Sequence, residues 1–256
     1  MSYAIAEIGN TLPIVAVVQK LLDRTGYPLT VDGSFGPNTK AAVRKFQREH
    51  RPLADDGSVS VQTWPRLVAN DPGFKVLDCI DVDDGFMGEV NHARKYGGNP
   101  LVIGGMSNGV EQAITMINAA ASPGSVCLLR FHGHGSPGGA GIGAGKWEYG
   151  DQGNILGPNQ IAQIGKLFGR LRGLFSPFGC IQFMHCSTGQ GPMGTSVLQS
   201  VANATGVPAT AAVRVQLGGG ATTFRYEGPT KTAVPGGGSI KTWAAKLPVL
   251  YGKSVA

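Results

Sequence analysis

The chain has 256 residues, of which 42% are hydrophobic and 15% charged, so it can bury a full core and is not a disordered polymer. Glycine supplies 40 residues without any three-residue repeat, which excludes a collagen-like chain. No apolar run approaches the ~20 residues that a membrane-spanning helix needs, so we expect no membrane span.

The formal net charge of +6 is distributed unevenly along the chain. Residues 71–89 hold one basic and six acidic side chains, whereas residues 90–256 hold 13 basic and four acidic ones. A basic body suits an anionic partner such as a bacterial wall polymer. No segment interleaves basic and aromatic residues in the manner of a nucleic-acid groove, so no nucleic-acid partner is predicted.

The first residues and the cysteines indicate where the protein is made. Residues 1–13 lack a basic region and are interrupted by Glu7 and Pro13, so they do not predict a secretory signal. The four cysteines are few for this length, and three lie in or beside apolar runs, where a buried free thiol is common. We therefore expect synthesis in a reducing cytoplasm.

An amphipathic helix is predicted over residues 12–25. Thr11 is placed to cap its start, Pro13 is tolerated in the first turn, and Gly26 ends it. Its apolar residues recur at helical spacing: Ile14, Val17, Val18, Leu21 and Leu22. A second helix is predicted to begin at residues 36–39 and a third near residues 61–64.

The connectors before the second and third helices repeat each other. In both, an Asp-Gly pair is followed by a threonine six residues after the glycine: Asp32-Gly33 with Thr39, and Asp56-Gly57 with Thr63. Asp-Gly favours a tight turn, and the threonine then lies in the first turn of the next helix. Each unit is a helix followed by a turn that begins the next helix.

These motifs resemble a peptidoglycan-binding domain of the small three-helix type over about residues 12–68. The shared motifs are Val18-Gln19, Gly26-Tyr27, Asp32-Gly33, Phe35-Gly36, Thr39, Ala42-Val43, Phe46-Gln47, Asp56-Gly57 and Thr63-Trp64. The resemblance implies peptidoglycan as a partner. Amides at a helix start can meet acetamido and carboxylate groups, so we expect ligand contacts around Phe35, Gly36, Asn38 and Thr39. The turn 71–73 predicts a domain boundary, giving a first domain over residues 1–72.

Beyond residue 73, short apolar runs alternate with helical patterns. Strands are predicted at 74–80, 101–103, 126–131, 180–184 and 207–213, and helices at 107–120, 158–172 and 193–204. This alternation predicts an α/β fold with a mostly parallel sheet and helices on both faces. In such folds the site lies at the carboxyl ends of the strands.

Two neighbouring predicted strands end in reactive groups. The third strand leads into His132-Gly133-His134-Gly135, and the fourth into His185-Cys186. A nucleophilic thiol needs a nearby base, and adjacent strand ends can supply one. Gly135 leaves room for a substrate carbonyl, and its amide, with that of Cys186, is a predicted donor pair for an oxyanion.

This arrangement resembles the caspase- and gingipain-like (clan CD) cysteine peptidases over about residues 74–215. His134-Gly135-Ser136-Pro137-Gly138 matches a "His-Gly-Ser-Pro-Gly" loop, and Cys186-Ser187 matches a "Cys-Ser" loop. The resemblance implies a peptide or protein substrate, His134 as base, Cys186 as nucleophile and no cofactor. His185 replaces the small residue often found before the nucleophile. His132, His185 and Asp81 are candidate supporting residues, with Asp78 a further candidate to orient His134.

Two other hypotheses remain open. His132, His134, His185 and Cys186 offer four nitrogen and sulfur donors of the kind that bind zinc, although no carboxylate stands where a catalytic zinc base would be, and our assignment includes no metal. Alternatively, the second domain is inactive and presents its cleft to a partner. The Gly-rich segments 138–157 and 217–238 are predicted loops around the cleft, with Trp147 and Tyr149 as candidate substrate contacts.

The sequence therefore predicts two domains. Residues 1–72 form a small three-helix peptidoglycan-binding domain, and residues 73–256 form a caspase-like, mostly parallel α/β/α sandwich. The expected function is a wall-targeted cysteine hydrolase that acts at the cell wall or periplasm. Without a signal peptide, we expect export by a non-classical route, as for an antibacterial effector, toxin or lysin.

Overall fold

The computed structural model describes residues 3–82, 85–104, 109–143, 155–157, 161–216 and 224–251. The helices are α1 (Pro13–Arg24), α2 (Pro37–Glu49), α3 (Thr63–Val68), α4 (Met87–Lys95), α5 (Gly109–Ala120), α6 (Ile161–Phe168), α7 (Gly191–Thr205) and α8 (Ile240–Ala244). The strands are β1 (Ala4–Ala6), β2 (Val59–Ser60), β3 (Lys75–Asp81), β4 (Leu101–Ile103), β5 (Val126–His132), β6 (Gly135–Ser136), β7 (Gly139–Gly141), β8 (Ile155–Leu156), β9 (Phe175–Phe183), β10 (Ala209–Ala212) and β11 (Thr230–Ala233). Within the described ranges, no helix has both the length and the apolar character needed to cross a bilayer.

The first helix forms where the apolar period predicts it. α1 buries all five of its predicted apolar residues, and Pro13 occupies its first turn. The predicted cap is wrong: the helix begins after Leu12 without a side-chain cap, and the hydroxyl of Thr11 instead pairs with that of Ser34 at 3.2 Å. Gly26 follows the helix with φ +92°, the left-handed conformation that glycine adopts without strain.

A six-stranded sheet organises the rest of the chain in the order β4-β3-β5-β9-β10-β11. The first five strands are parallel, and β11 runs antiparallel to β10 at the edge. The predicted α/β class with a mostly parallel sheet is therefore confirmed. β5 and β9 lie side by side at its centre, with Phe131 opposite Phe183.

Helices cover both faces of this sheet, as predicted, but the helices on the two faces come from different parts of the chain. Leu128 and Leu129 are adjacent on β5, so they point to opposite faces, and both are fully buried. Leu129 belongs to the hydrophobic cluster of α5, α6 and α7. Leu128 belongs to a cluster that contains α1, α3 and α8. The N-terminal helices thus supply much of one layer of the sandwich, while the boundary at residue 72 stays a prediction.

Several short elements were not predicted. The segment expected to be a loop over 138–157 contains β7 and β8, which form a three-stranded antiparallel sheet with β6. β9 begins five residues before the predicted strand. Its register with β5 shifts between Phe175 and Cys180, so Pro177 lies in an irregular stretch that obscures the strand pattern.

Candidate functional site

The loops after β5 and β9 are in contact at the carboxyl edge of the sheet. A β-carbon built on Gly135 would lie 2.4 Å from the carbonyl oxygen of Cys186 and 2.8 Å from Oγ1 of Thr188. The hydroxyl of Thr188 donates to the carbonyl oxygen of Gly139 at 2.6 Å, and the N–H of Gly138 donates to the carbonyl oxygen of Thr188 at 3.2 Å. The structure therefore brings the two predicted loops together and ties them by backbone contacts.

Cys186 differs from the other three cysteines in its accessibility. Its side chain is partly exposed, whereas Cys79, Cys127 and Cys180 are fully buried. Burial raises the pKa of each of these three thiols, because it disfavours the thiolate. Since the thiolate is the nucleophilic form, these three cysteines are poor nucleophiles, and Cys186 is the accessible thiol.

The backbone of Gln216 contacts the Cys186 thiol through two hydrogen bonds. The N–H of Gln216 donates to Sγ at 3.3 Å, and the thiol donates to the carbonyl oxygen of Gln216 at 3.4 Å. Ser187, the next residue, has φ +54°, which is strained for a residue with a side chain, and its N–H donates to the carbonyl oxygen of Arg214 at 2.9 Å. Arg214 and Gln216, which follow β10, thus contact the loop that carries Cys186.

His134 is exposed at the same edge. Its ring packs edge-to-face against Phe86, with the ring centroids 4.9 Å apart. Its carbonyl oxygen accepts the N–H of Gly141 at 2.9 Å, which connects the loop to β7. The imidazole of His134 therefore lies on an anchored loop, one residue from the Gly135 contact with Cys186.

His132 is held in a buried polar cluster with Asp78 and Arg130. Nε2 of His132 donates to Oδ1 of Asp78 at 3.0 Å, and Nε of Arg130 donates to the same oxygen at 2.6 Å. Burial lowers the pKa of His132, while burial alone would raise the pKa of Asp78. The Arg130 charge and the His132 hydrogen bond overcome that effect and hold the pKa of Asp78 below its usual range. Asp78 thus orients His132, so the suggestion that it orients His134 is not supported.

The other predicted supporting residues also have structural partners. His185 is fully buried, and its Nε2 donates to the carbonyl oxygen of Gly141 at 2.9 Å. Burial lowers the pKa of His185 to about 3, so its ring is neutral. Asp81 accepts the N–H of Gly143 at 2.8 Å. These contacts explain His185 and Asp81 as residues that hold the β6–β7 segment against the main sheet.

The zinc hypothesis finds no cluster to support it. In the described parts of the chain, no three or more His, Cys, Asp or Glu side chains are grouped as metal ligands. Of the four residues considered, His132 and His185 direct Nε2 at Asp78 and Gly141, as above. Trp147 and Tyr149, the candidate substrate contacts, lie outside the described residues.

A second candidate site is a groove beside α2, with a volume of about 900 Å³. Three of the predicted peptidoglycan contacts line it: Gly36, Asn38 and Thr39. Phe35 does not line it, because its side chain is only 2% exposed and packs in the core. Tyr27 and Lys45 line the groove and were missed.

Two buried glutamines support the repeated turns of this region. Oε1 of Gln19 accepts the N–H of Gly33 at 2.9 Å, and Nε2 donates to Asp32, Ser34 and Thr39. Gln47 makes the corresponding bonds: Oε1 accepts the N–H of Gly57 at 2.9 Å, and Nε2 donates to Asp56, Ser58 and Thr63. The repeat in the sequence contained the signal, because each glutamine precedes an Asp-Gly turn.

Comparison with known proteins addresses this N-terminal region. Residues 11–67 match the family described as "Putative peptidoglycan binding domain". A peptidoglycan-binding domain is therefore supported at the N-terminus. The match covers less than a quarter of the chain and does not reach the large sheet.

A solved structure is also similar to part of the chain. It is a peptidoglycan-binding protein from Clostridioides difficile in complex with glutamine hydroxamate, 34% identical, with a TM-score of 0.24. The similarity covers 26% of this chain and 42% of that one, so it spans less than half of that protein. No curated protein matches the sequence.

Proposed function

We propose that the protein is a peptidoglycan-binding cysteine hydrolase, in which Cys186 attacks an amide carbonyl and His134 is its base. The observation that carries the proposal is the contact between Gly135 and Cys186. It brings the histidine loop and the cysteine loop to one edge of the sheet, where ligands of parallel α/β folds bind. The accessibility of Cys186, set against three buried thiols, supports it.

The reaction follows from ordinary thiol chemistry. His134 takes the proton of the Cys186 thiol, and Sγ forms a bond with the carbonyl carbon of the substrate. The tetrahedral intermediate collapses as the C–N bond breaks, and His134 returns the proton to the leaving amine. Water, deprotonated by His134, then cleaves the thioester to release a carboxylic acid and restore the thiol. The amides of Gly135 and Cys186 are the proposed donors to the oxyanion.

The resemblance of the second region to caspase-like peptidases belongs to this proposal. A mostly parallel sheet with His134 and Cys186 after neighbouring strands supports it. We propose peptide bonds of the wall as the substrate class, either in stem peptides or in wall-associated proteins. In this proposal the protein acts at the cell wall.

The packing of α1 connects the proposed peptidoglycan groove to the sheet that carries Cys186. Residues of α1 share one buried cluster with Leu128 of β5 and Cys180 of β9. The peptidoglycan groove is thus attached to the sheet by a hydrophobic contact. Binding in the groove would hold a wall segment at one set distance from Cys186, which favours cleavage of bonds near the bound segment.

Alkylation tests the proposed nucleophile. Iodoacetamide should label Cys186 in the folded protein while Cys79, Cys127 and Cys180 react only after unfolding, because those three are buried. His134→Ala should slow the labelling at neutral pH, and the control His50→Ala, on the N-terminal region, should not. Equal labelling rates for wild type and His134→Ala would contradict the assigned base.

Hydrolysis is measured on purified sacculi and on generic peptides. Cys186→Ala should abolish the release of new amino groups, and Cys186→Ser should reduce it strongly. If new amino groups are released only from sacculi, the substrate is the stem peptides. If they are released only from generic peptides, the substrate is wall-associated proteins. Equal release by wild type and Cys186→Ala would refute the assignment.

One observation favours the alternative of an inactive binding module. Gln216 contacts the thiol through both its N–H and its carbonyl oxygen, so its backbone engages the sulfur as donor and as acceptor. If this contact persists in solution, iodoacetamide will label Cys186 no faster than the buried cysteines. That result would favour a module that binds the wall without cleaving it.

A further inference from the structure

The exposed side of α2 carries a cationic stripe that we define as Lys40, Arg44 and Arg48. Their spacing of four residues places them along one side of the helix, over a length of about 12 Å. The stems of Lys40 and Arg44 pass over Gly57, where a β-carbon would lie 2.7 Å and 2.8 Å from their Cγ atoms. The stems of Lys40 and Arg44 are therefore packed against the turn at Gly57, while Arg44 and Arg48 are exposed residues and Lys40 is half-buried.

Acidic side chains do little to neutralise the stripe. α2 contains four basic residues and one acidic residue, Glu49, which accepts a hydrogen bond from the Tyr27 hydroxyl on the groove side. Arg44 donates through Nε to the carbonyl oxygen of Asp55 at 3.0 Å and approaches its carboxylate at 3.8 Å, in an exposed pair that contributes little. In the described parts of the chain, Lys40 and Arg48 form no ion pair. Like charges four residues apart destabilise a helix, so α2 retains the stripe at some cost.

The stripe borders the peptidoglycan groove. Asn38, Ala41, Ala42 and Lys45 of α2 line that groove. Helical geometry places these residues on average about 110° around the helix axis from the stripe. A polymer attached to peptidoglycan in the groove would reach the three cations by passing around this side of the helix.

We propose that the stripe binds a phosphodiester polymer that is linked to peptidoglycan in the bacterial wall. This rests on the peptidoglycan-binding half of the proposed function and not on Cys186. Two of the three cations are arginines, whose planar guanidinium groups match pairs of phosphate oxygens. A phosphodiester carries one negative charge per repeat, so a linear polymer meets several cations along the 12 Å stripe, at about one charge for each.

The test is co-sedimentation of the full-length protein with purified sacculi that are either intact or stripped of phosphodiester polymers with hydrofluoric acid. The variant Lys40→Gln/Arg44→Gln/Arg48→Gln should bind intact sacculi about tenfold more weakly than wild type. Both proteins should bind stripped sacculi equally through the groove. The control Arg94→Gln/Lys241→Gln/Lys246→Gln removes three exposed charges elsewhere and should bind intact sacculi like wild type.

Several results would overturn the proposal. Equal binding of wild type and stripe variant to intact sacculi would do so, as would an equal loss in the control variant. A loss on stripped sacculi as well would assign the stripe to stem-peptide carboxylates. Stronger competition by double-stranded DNA than by soluble poly(glycerol phosphate) would assign it to nucleic acid. If wild type fails to bind stripped sacculi, the groove assignment itself fails, which is a separate outcome.

Discussion

Gly135 packs so closely against Cys186 that a side chain at position 135 would overlap the carbonyl oxygen of residue 186. A β-carbon at position 135 would lie 2.4 Å from that oxygen and 2.7 Å from Cβ of His185. Both obstacles are backbone or near-backbone atoms of a buried segment, so neither can move freely. The contact between the two loops therefore requires glycine at this position.

Substitution of Gly135 tests this contact. Gly135→Ala should separate the two loops, lower the free energy of unfolding by about 1–3 kcal/mol and slow alkylation or hydrolysis at Cys186. The matched control is Gly165→Ala in α6, where no heavy atom lies within 4 Å of the added carbon. It should raise stability by about 0.5–1 kcal/mol, because alanine favours helix. Urea titration measures both, and equal effects would contradict the close packing.

Gln19→Leu should destabilise the N-terminal helices. Gln19 is 2% exposed, and its loss leaves the N–H groups of Asp32 and Gly33 without their acceptor. We expect a decrease of about 2–4 kcal/mol in the free energy of unfolding, since each buried unsatisfied group costs about 1–3 kcal/mol. Gln47→Leu should behave alike. Gln112→Leu on the exposed side of α5 is the control, and a similar loss there would contradict the network.

The Asp78–Arg130 pair should show strong coupling. Arg130 is fully buried, with Nε bonded to Asp78 and Nη1 donating to the carbonyl oxygen of Ala4 at 2.8 Å. Asp78→Ala leaves that cation unpaired and should cost about 3–5 kcal/mol of stability. The double variant Asp78→Ala/Arg130→Leu should cost less than the sum of the single variants. The exposed pair Glu111–Arg170 is the control, and Glu111→Ala should cost less than about 1 kcal/mol.

His185 should make stability depend on pH. Its folded pKa of about 3 lies below the unfolded value of about 6.5, so only the unfolded chain binds a proton between these values. Stability is therefore complete above pH ~6.5 and falls as the pH decreases toward 3, by up to ~1.4 kcal/mol per pH unit. His185→Gln retains a donor for Gly141 and should flatten this slope, although the lowered pKa of His132 contributes in the same direction. Denaturant titrations at pH 7, 5 and 4 measure the free energy of unfolding of both proteins. The same pH dependence in wild type and His185→Gln would contradict a role for His185.

The parts of the fold that depend on neighbouring residues were predictable from local patterns in the sequence. The apolar period gave α1 its buried side, and apolar runs located β3, β4 and β5. Because carboxyl ends of parallel strands share one edge, the adjacency of the His134 and Cys186 loops also followed from the order of the strands.

Contacts between distant segments were not predictable. Phe35 stands in a polar turn beside groove residues, yet it is buried because the first helix and the later chain pack over it. Arg130 is a charged residue within the apolar strand β5. Its role could not be predicted, because its partner, Asp78, lies on the neighbouring strand β3. Helical and strand periods are encoded over a few adjacent residues, whereas burial and charge pairing depend on residues brought together from 50 or more positions apart. The sequence by itself therefore determined the main strands and helices and the strand ends that carry His134 and Cys186, and the tertiary structure decided which side chains are buried, paired or open to a ligand.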